Sequence, residues 1–358
     1  MKRPIVLGAG PAGCAAAITL AREGEAPLLL DRYAEVGDAL CGGFMSWRTA
    51  ERCRALGIDL DRLGAHRVSH LRLLASEGSS QARLPRPAFG LSRHVFDTAM
   101  RNAALAAGAH FETCHVRTMD GQVLSSDKGD LTSPAIFLAS GKSDIRGGAR
   151  PRSRRDPALG LRVRAPATPA IAQLIGDTIE LHLFDGGYAG IVLQEDGSAN
   201  ICLALRKSLL AEHGQPRDLL DALAADYPAF GLRMEGVPLD APIDAVAAVP
   251  YGFIAQATDP GIYRIGDQAA VIPSLAGEGM GIALASGAMA ARIYLDGGAA
   301  AAQDFQRCFA RAARRPVTAA DALWHVGERP LGATAMTRLA GLVPGSAALA
   351  MRITRIAA

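Results

Sequence analysis

Apolar residues fall in short blocks at the start of the chain and in alternating runs through its middle. Pro4–Leu7 is an apolar run closed by glycine, a helical pattern follows from Cys14 to Glu23, and a second apolar run covers Ala26–Leu30. Short continuous runs of this kind predict parallel strands buried on both faces. After residue 156 the pattern changes. "LGLRVRA", "TIELHLF", "YAGIVL", "ANICLAL" and "IDAVAAVP" read as strands of a mainly antiparallel sheet, interrupted by a helix over 217–227. Residues 66–85 predict a hairpin around "SEGSSQ", and 299–358 return to helical spacing with apolar faces and arginines. This order predicts an α/β fold. Segments 1–65, 86–156 and 251–298 form one discontinuous domain, 66–85 and 157–250 an inserted sheet domain, and 299–358 a helical cap.

Composition changes this picture little. With 358 residues, 49% hydrophobic and 20% charged, the chain can bury a sizeable core. The densest basic run, Arg146–Arg155, carries no aromatic residues, so it reads as a solvated loop and nucleic acid is not an expected partner. Six scattered cysteines form no CxxC and the histidines no ligand spacing, so no metal site is expected. The chain runs directly into its first strand, which predicts no signal segment, and the cysteine usage points to a reducing cytoplasm. The tail stretch 339–351 contains Gly and Pro and is too short for a membrane span.

The chemistry begins at "PIVLGAGPAGCAAAITLAREGEAPLLLDR". Gly8, Gly10 and Gly13 make a GxGxxG turn between strand and helix, and the second strand ends in Asp31. Glycines there permit a tight turn, backbone approach to a pyrophosphate and close helix packing, while the helix N-terminus favours an anion. Asp31 suits a ribose diol. Gly8, Gly10, Pro11, Ala12, Gly13, Asp31 and Arg32 are therefore the first cofactor-binding set. The motif serves NAD and FAD alike.

A second signature lies far away. In "GIYRIGDQAAVIPSLAGEGMGIALASG" a strand ends in Gly266-Asp267, and Gly277-Glu278-Gly279-Met280-Gly281 opens a helix rich in small residues. Together with "GLSRHVFDTAM" (90–100), "AIFLASGKSDIRG" (135–147) and "CGGFMS" (41–46), it resembles the geranylgeranyl reductase and flavoprotein monooxygenase superfamily. The resemblance implies a glutathione-reductase-type FAD fold with FAD as cofactor. It also implies Asp267 on the ribityl chain, the helix from Gly279 under the isoalloxazine ring, and Arg93, Gly141, Cys41 and Gly42 near the cofactor. Ser140 stands where hydroxylases of this superfamily carry Asp, which counts against direct use of NADH or NADPH as donor.

Cys41 has no cysteine partner a few residues away, so disulfide exchange is not expected. Two readings remain for it, a contact to flavin or substrate and an inert loop thiol. Phe44 and Met45 could line an apolar cavity, with Tyr188 as a third lining residue or an ordinary sheet aromatic. Cys41, Tyr188 and Glu278 are the catalytic candidates, although Glu278 could equally cap its helix. The resulting expectation is an FAD-dependent oxidoreductase moving hydride through flavin N5 to or from a hydrophobic small molecule. An FAD monooxygenase using NAD(P)H and O2 on an aromatic or polyketide-type substrate is the first alternative, and a non-catalytic FAD redox module the second. The basic amphipathic tail adds the option of transient membrane-surface contact.

Overall fold

The computed structural model describes residues 3–151, 156–343 and 345–357. The end of the basic run, Arg152–Arg155, lies outside the described residues. In chain order the first elements are β1 (Ile5–Leu7), α1 (Pro11–Arg22), β2 (Leu28–Asp31), β3 (Phe44–Met45), α2 (Trp47–Ala55), β4 (His66–Leu74), β5 (Ser79–Gly90) and α3 (Arg93–Ala106). Then come β6 (His110–Thr113), β7 (Val116–Asp120), β8 (Val123–Ser126), β9 (Gly129–Thr132), β10 (Ile136–Leu138), β11 (Ala158–Ala165), α4 (Pro169–Ile175), β12 (Thr178–Phe184), β13 (Gly187–Leu193) and β14 (Ala199–Arg206). The remainder is α5 (Lys207–His213), α6 (Pro216–Asp226), α7 (Pro228–Met234), β15 (Asp244–Val249), β16 (Ile262–Arg264), α8 (Gly279–Gly297), α9 (Ala302–Gly327), α10 (Pro330–Leu342) and α11 (Ser346–Ile353).

Strands β16-β10-β1-β2-β6 form a parallel sheet in that order, with Ile5 beside Leu28 and Ile136. The apolar runs are continuous because both faces are covered. Val6, Leu29, Phe137 and Tyr263 turn towards α1, α3, α8 and α9. Ile5, Leu7, Leu30, Ile136 and Leu138 turn instead towards β7-β8-β9, a small antiparallel sheet that the sequence pattern did not bring out.

The second sheet has the order β15-β11-β14-β13-β12-β4-β5-β3, antiparallel except between β12 and β4. The 66–85 hairpin and the five middle strands join one layer, which also takes in β3, and β5 runs on to Gly90. One face of this layer is apolar: Leu161, Val163, Ile191, Ile201 and Leu203 pack with Ile171, Leu219, Leu220 and Phe230 of α4, α6 and α7. The opposite face carries Tyr188, Gly190 and Val192, each beside Ala204, Cys202 and Asn200 respectively.

The tail covers both sheets. α9, a single helix despite Pro316, sets Phe305, Phe309 and Val317 into the core of the parallel sheet. α10 and α11 cross to β4, β5 and β12. No helix among the described residues is long and apolar enough to cross a membrane.

Candidate functional site

The β1–α1 turn is built by steric demand. Gly8 has φ +113°, and a Cβ there would lie 2.4 Å from the Ala139 carbonyl oxygen. A Cβ on Gly13 would sit 1.8 Å from the Gly8 carbonyl oxygen, so helix and strand meet only if both positions lack side chains. Gly10 differs. Its missing Cβ has only the Arg93 guanidinium near it, at 3.9 Å, which leaves an open place beside a cation. No side chain caps α1, and Pro11 opens it. Backbone N–H groups, a helix N-terminus and Arg93 therefore share one spot, a suitable seat for a pyrophosphate. Arg93 holds Asp97 through two bonds of 2.8 and 2.6 Å. Burial works against its charge, but that carboxylate outweighs the cost and raises its pKa, so the cation is permanent.

Asp31 accepts from the Ala9 N–H at 2.8 Å and from the Tyr33 N–H at 3.0 Å, so it fastens the glycine turn as well as ending β2. Arg32 lies over the exposed Tyr33 ring at the rim. Cys14 is fully buried under the helix, where burial pushes its thiol pKa far up.

The distant signature comes to the same place. A Cβ on Gly266 would lie 2.9 Å from the Ala12 Cβ, and one on Gly287 of α8 would lie 2.2 Å from the Ala12 carbonyl oxygen. The Gly266 N–H donates to Ser286 Oγ at 2.8 Å, tying the Gly266-Asp267 turn to α8. Gly141 is left-handed and open, with its carbonyl accepting from Gln268. Gly279 also faces open space, as does Gly42.

The stretch 38–43 lies on the polar face of the second sheet. Arg162 and Arg164 hold the Asp38 carboxylate at 2.8 and 2.5 Å, Lys142 donates to the Leu40 carbonyl at 2.7 Å, and Asn200 Nδ2 donates to the Cys41 carbonyl at 3.0 Å. Gly43 has φ +70°, and a Cβ there would meet Gln194 Nε2 at 2.8 Å. Cys41 itself stays half-exposed. Asn200 Oδ1 and Gln194 Oε1, both buried, have no hydrogen-bond partner among the described residues. Unanswered acceptors next to the loop that carries the open Gly42 fit a polar group that brings its own donors.

Three residues that the sequence reading passed over complete the apolar side. Tyr188 Oη donates to Ser274 Oγ at 2.8 Å, and Tyr251 Oη meets the same oxygen at 2.5 Å. Trp324 of α9 packs edge-on to both rings. Burial raises the Tyr188 pKa well above its ordinary value and pushes Tyr251 up to about 12. Cys202, on the same sheet face as Tyr188, is pushed up to about 12 by burial. Its alternation with Asn200 and Ala204 in "ANICLAL" was the available signal, because small and polar residues share one face there.

Four further expected site residues lie around the start of α8 and β3. Met45 is fully buried in the core of the parallel sheet and lines no substrate cavity, because β3 turns its side chain inward. Phe44 packs on the left-handed turn at Gly277, 2.8 Å from where a Cβ would stand. Glu278 is fully buried. It accepts from Ser46 Oγ at 3.1 Å and the Ile356 N–H at 3.3 Å, and it lies 3.3 Å from Arg355 and 3.9 Å from Arg52. Gly281 makes room for that carboxylate, since a Cβ would sit 2.4 Å from it. Glu278 is thus a tether between α8, α2 and the C-terminus, and Met280 beside it is a core residue.

No family model matches the chain. It is 28% identical over 312 residues to digeranylgeranylglycerophospholipid reductase 2 of Methanopyrus kandleri, covering 81% of this chain and 76% of the relative. It is 27% identical over 320 residues to menaquinone reductase of Mycolicibacterium smegmatis, covering 82% and 76%. Among solved structures, a geranylgeranyl bacteriochlorophyll reductase-like protein of Thermoplasma acidophilum superposes with a TM-score of 0.75 at 17% identity, covering 96% and 92%. Flavin-dependent halogenases also match in fold, one of them with FAD bound.

Proposed function

We propose that the chain is an FAD-dependent oxidoreductase of glutathione-reductase-type fold, moving hydride to or from a carbon–carbon bond of a hydrophobic, isoprenoid-bearing molecule. The observation that carries this reading is the seating of the Gly8–Gly13 turn against the Gly266 turn and α8 through Ala12. Two nucleotide signatures far apart in sequence become one cradle. Reductases of a geranylgeranyl lipid and of menaquinone among the relatives support the substrate class.

When bound, FAD supplies hydride exchange at N5 of its ring. The protein's part is positional and electrostatic. The turn at Gly8–Gly13, with Arg93 beside it, would hold the diphosphate. Asp31 would accept from the ribose diol and Asp267 from the ribityl hydroxyls. Gly42 and Gly279 leave backbone free to lie against a flat ring, and the start of α8 favours negative charge there. Tyr188 and Tyr251, kept neutral by burial and joined through Ser274, hold protons on the sheet side. They would protonate the neighbouring carbon of the double bond, the one that does not receive hydride. Cys41 stands nearby as a contact to ring or substrate.

The test is anaerobic. The purified protein is expected to show oxidised-flavin absorbance that dithionite bleaches and that a geranylgeranyl lipid or a menaquinone restores, with saturation of a double bond in the product. The same titration with NADH and NADPH shows whether either serves as donor. Recovery only on admitting O2, with a hydroxylated product, would replace this reading by a monooxygenase. Absence of turnover with every acceptor would leave a redox module.

A further inference from the structure

The cap carries an apolar surface on its outer side. Along α10, Leu331, Leu339 and Leu342 are 88%, 54% and 79% exposed, and Leu349 of α11 is 61% exposed. Elsewhere among the described residues, large exposed apolar side chains are few and scattered. The inner faces of these helices are apolar too. Ala333 packs with Tyr188, Trp324 and Leu183, and Ala340, Ala347 and Met351 pack with Val68, Val192 and Phe44. A helix apolar on both sides, with one side in water, is short of a partner.

Charge indicates the partner. Residues 299–358 hold eight arginines against three acids, whereas the whole chain carries only +3. From Arg329 onward the sequence contains no Asp or Glu. Arg338 and Arg352 are exposed on the same turns as the leucines, Arg338 within 3.4 Å of the exposed Glu77. Two copies of this surface would oppose like charges, while an anionic lipid surface answers both the leucines and the arginines.

We propose that the α10–α11 face is a docking surface for an anionic lipid bilayer, laid against the same elements that cover Tyr188 and Phe44. This rests on the reading of a lipophilic substrate, and it assigns the route by which that substrate arrives. With the bilayer against α10, an isoprenoid chain would leave the lipid close to the sheet face carrying Tyr188, without crossing water.

The experiment is flotation of the flavin-loaded full chain with vesicles of phosphatidylcholine alone or mixed with phosphatidylglycerol. The wild type is expected to float with the mixed vesicles, less so at high salt, and to stay behind with phosphatidylcholine alone. Leu331→Ser/Leu342→Ser is expected to weaken flotation roughly tenfold or more, with flavin content and unfolding midpoint unchanged because both side chains face solvent. Arg338→Gln/Arg352→Gln is a second variant that reads the charge alone and should remove the lipid preference. Equal flotation of the variants, or no flotation of the wild type, would overturn the proposal. So would a wild-type dimer that the leucine variant splits, since the partner would then be a second copy. Turnover of a short-chain, water-soluble isoprenoid acceptor is measured in parallel. Its loss would count against the function and leave the docking result standing, and the reverse outcome separates the two equally well.

Discussion

Glu180 in β12 and Glu278 before α8 are both fully buried, each facing two arginines, and they are held very differently. Glu180 takes Arg72 at 2.5 Å, Arg233 at 2.7 and 2.8 Å, and His182 at 3.0 Å. Burial pushes its pKa up, but these short bonds outweigh the penalty and bring it down to about 2. Glu278 has longer contacts, with Arg355 at 3.3 Å and Arg52 at 3.9 Å. There burial wins, and its pKa rises above the ordinary carboxylate value. The two sites share a charge pattern and differ in geometry. Glu180 is met by a neighbouring strand and by α7, whereas Glu278 must draw its partners from α2 and from the segment that follows α11. A buried ion pair stabilises only when its contacts are short enough to replace water.

The largest effect expected from this contrast is in Glu180→Ala. It strands the buried Arg233 guanidinium and should cost about 3–5 kcal/mol in urea unfolding. A loss below about 1 kcal/mol would break the comparison. Next comes acid. Glu180 has a depressed folded pKa, so its contribution is complete above its unfolded value and is lost as pH falls towards about 2. His182 adds to this trend, because burial lowers its pKa and charging it as pH falls opposes the fold. Glu278 has the opposite sign: its raised pKa means that protonation on acidification relieves a desolvation cost. Glu180→Gln should therefore flatten the acid limb of stability against pH, and Glu278→Gln should flatten the stretch above the ordinary carboxylate pKa. The smallest change in stability belongs to Glu278→Gln at neutral pH, roughly 1–2 kcal/mol, because its contacts to Arg355 and Arg52 are already long. Faster trypsin cleavage after Arg355, with the rest of the fold intact, would sharpen the point; a loss as large as that of Glu180→Ala would erase it.

Sequence carries structure most directly where the physics is local. Gly8 and Gly13 were legible because a tight turn and a close helix crossing exclude any Cβ there, and the residue type records that exclusion directly. The middle strands β11–β15 appeared nearly residue for residue, since short apolar or alternating runs between turn residues mark them. The β7–β9 meander escaped because its strands are short and polar, although Asp120-Gly121 marks a turn between two of them. "FM" at 44–45 is apolar on both positions and carries no record of which side chain turns inward. Glu278 read as a catalytic candidate or a helix cap because the residues that bind it, Ser46, Arg52 and Arg355, are remote in sequence. Tyr251, Ser274 and Trp324 come from three separate segments, and no spacing rule links them.

By itself, then, the sequence determined the parallel-strand core, the glycine turn after β1, the second glycine signature and the antiparallel strands of the middle segment, because each is a short-range steric or periodic demand. Only the tertiary structure decided that Ala12 joins the two signatures and that Met45 belongs to the core. It likewise showed that Glu278 is a tether and that Tyr188 shares a hydroxyl with Tyr251. Those outcomes depend on which distant surfaces meet, and burial, hydrogen bonding and charge compensation are properties of the meeting and not of any one segment.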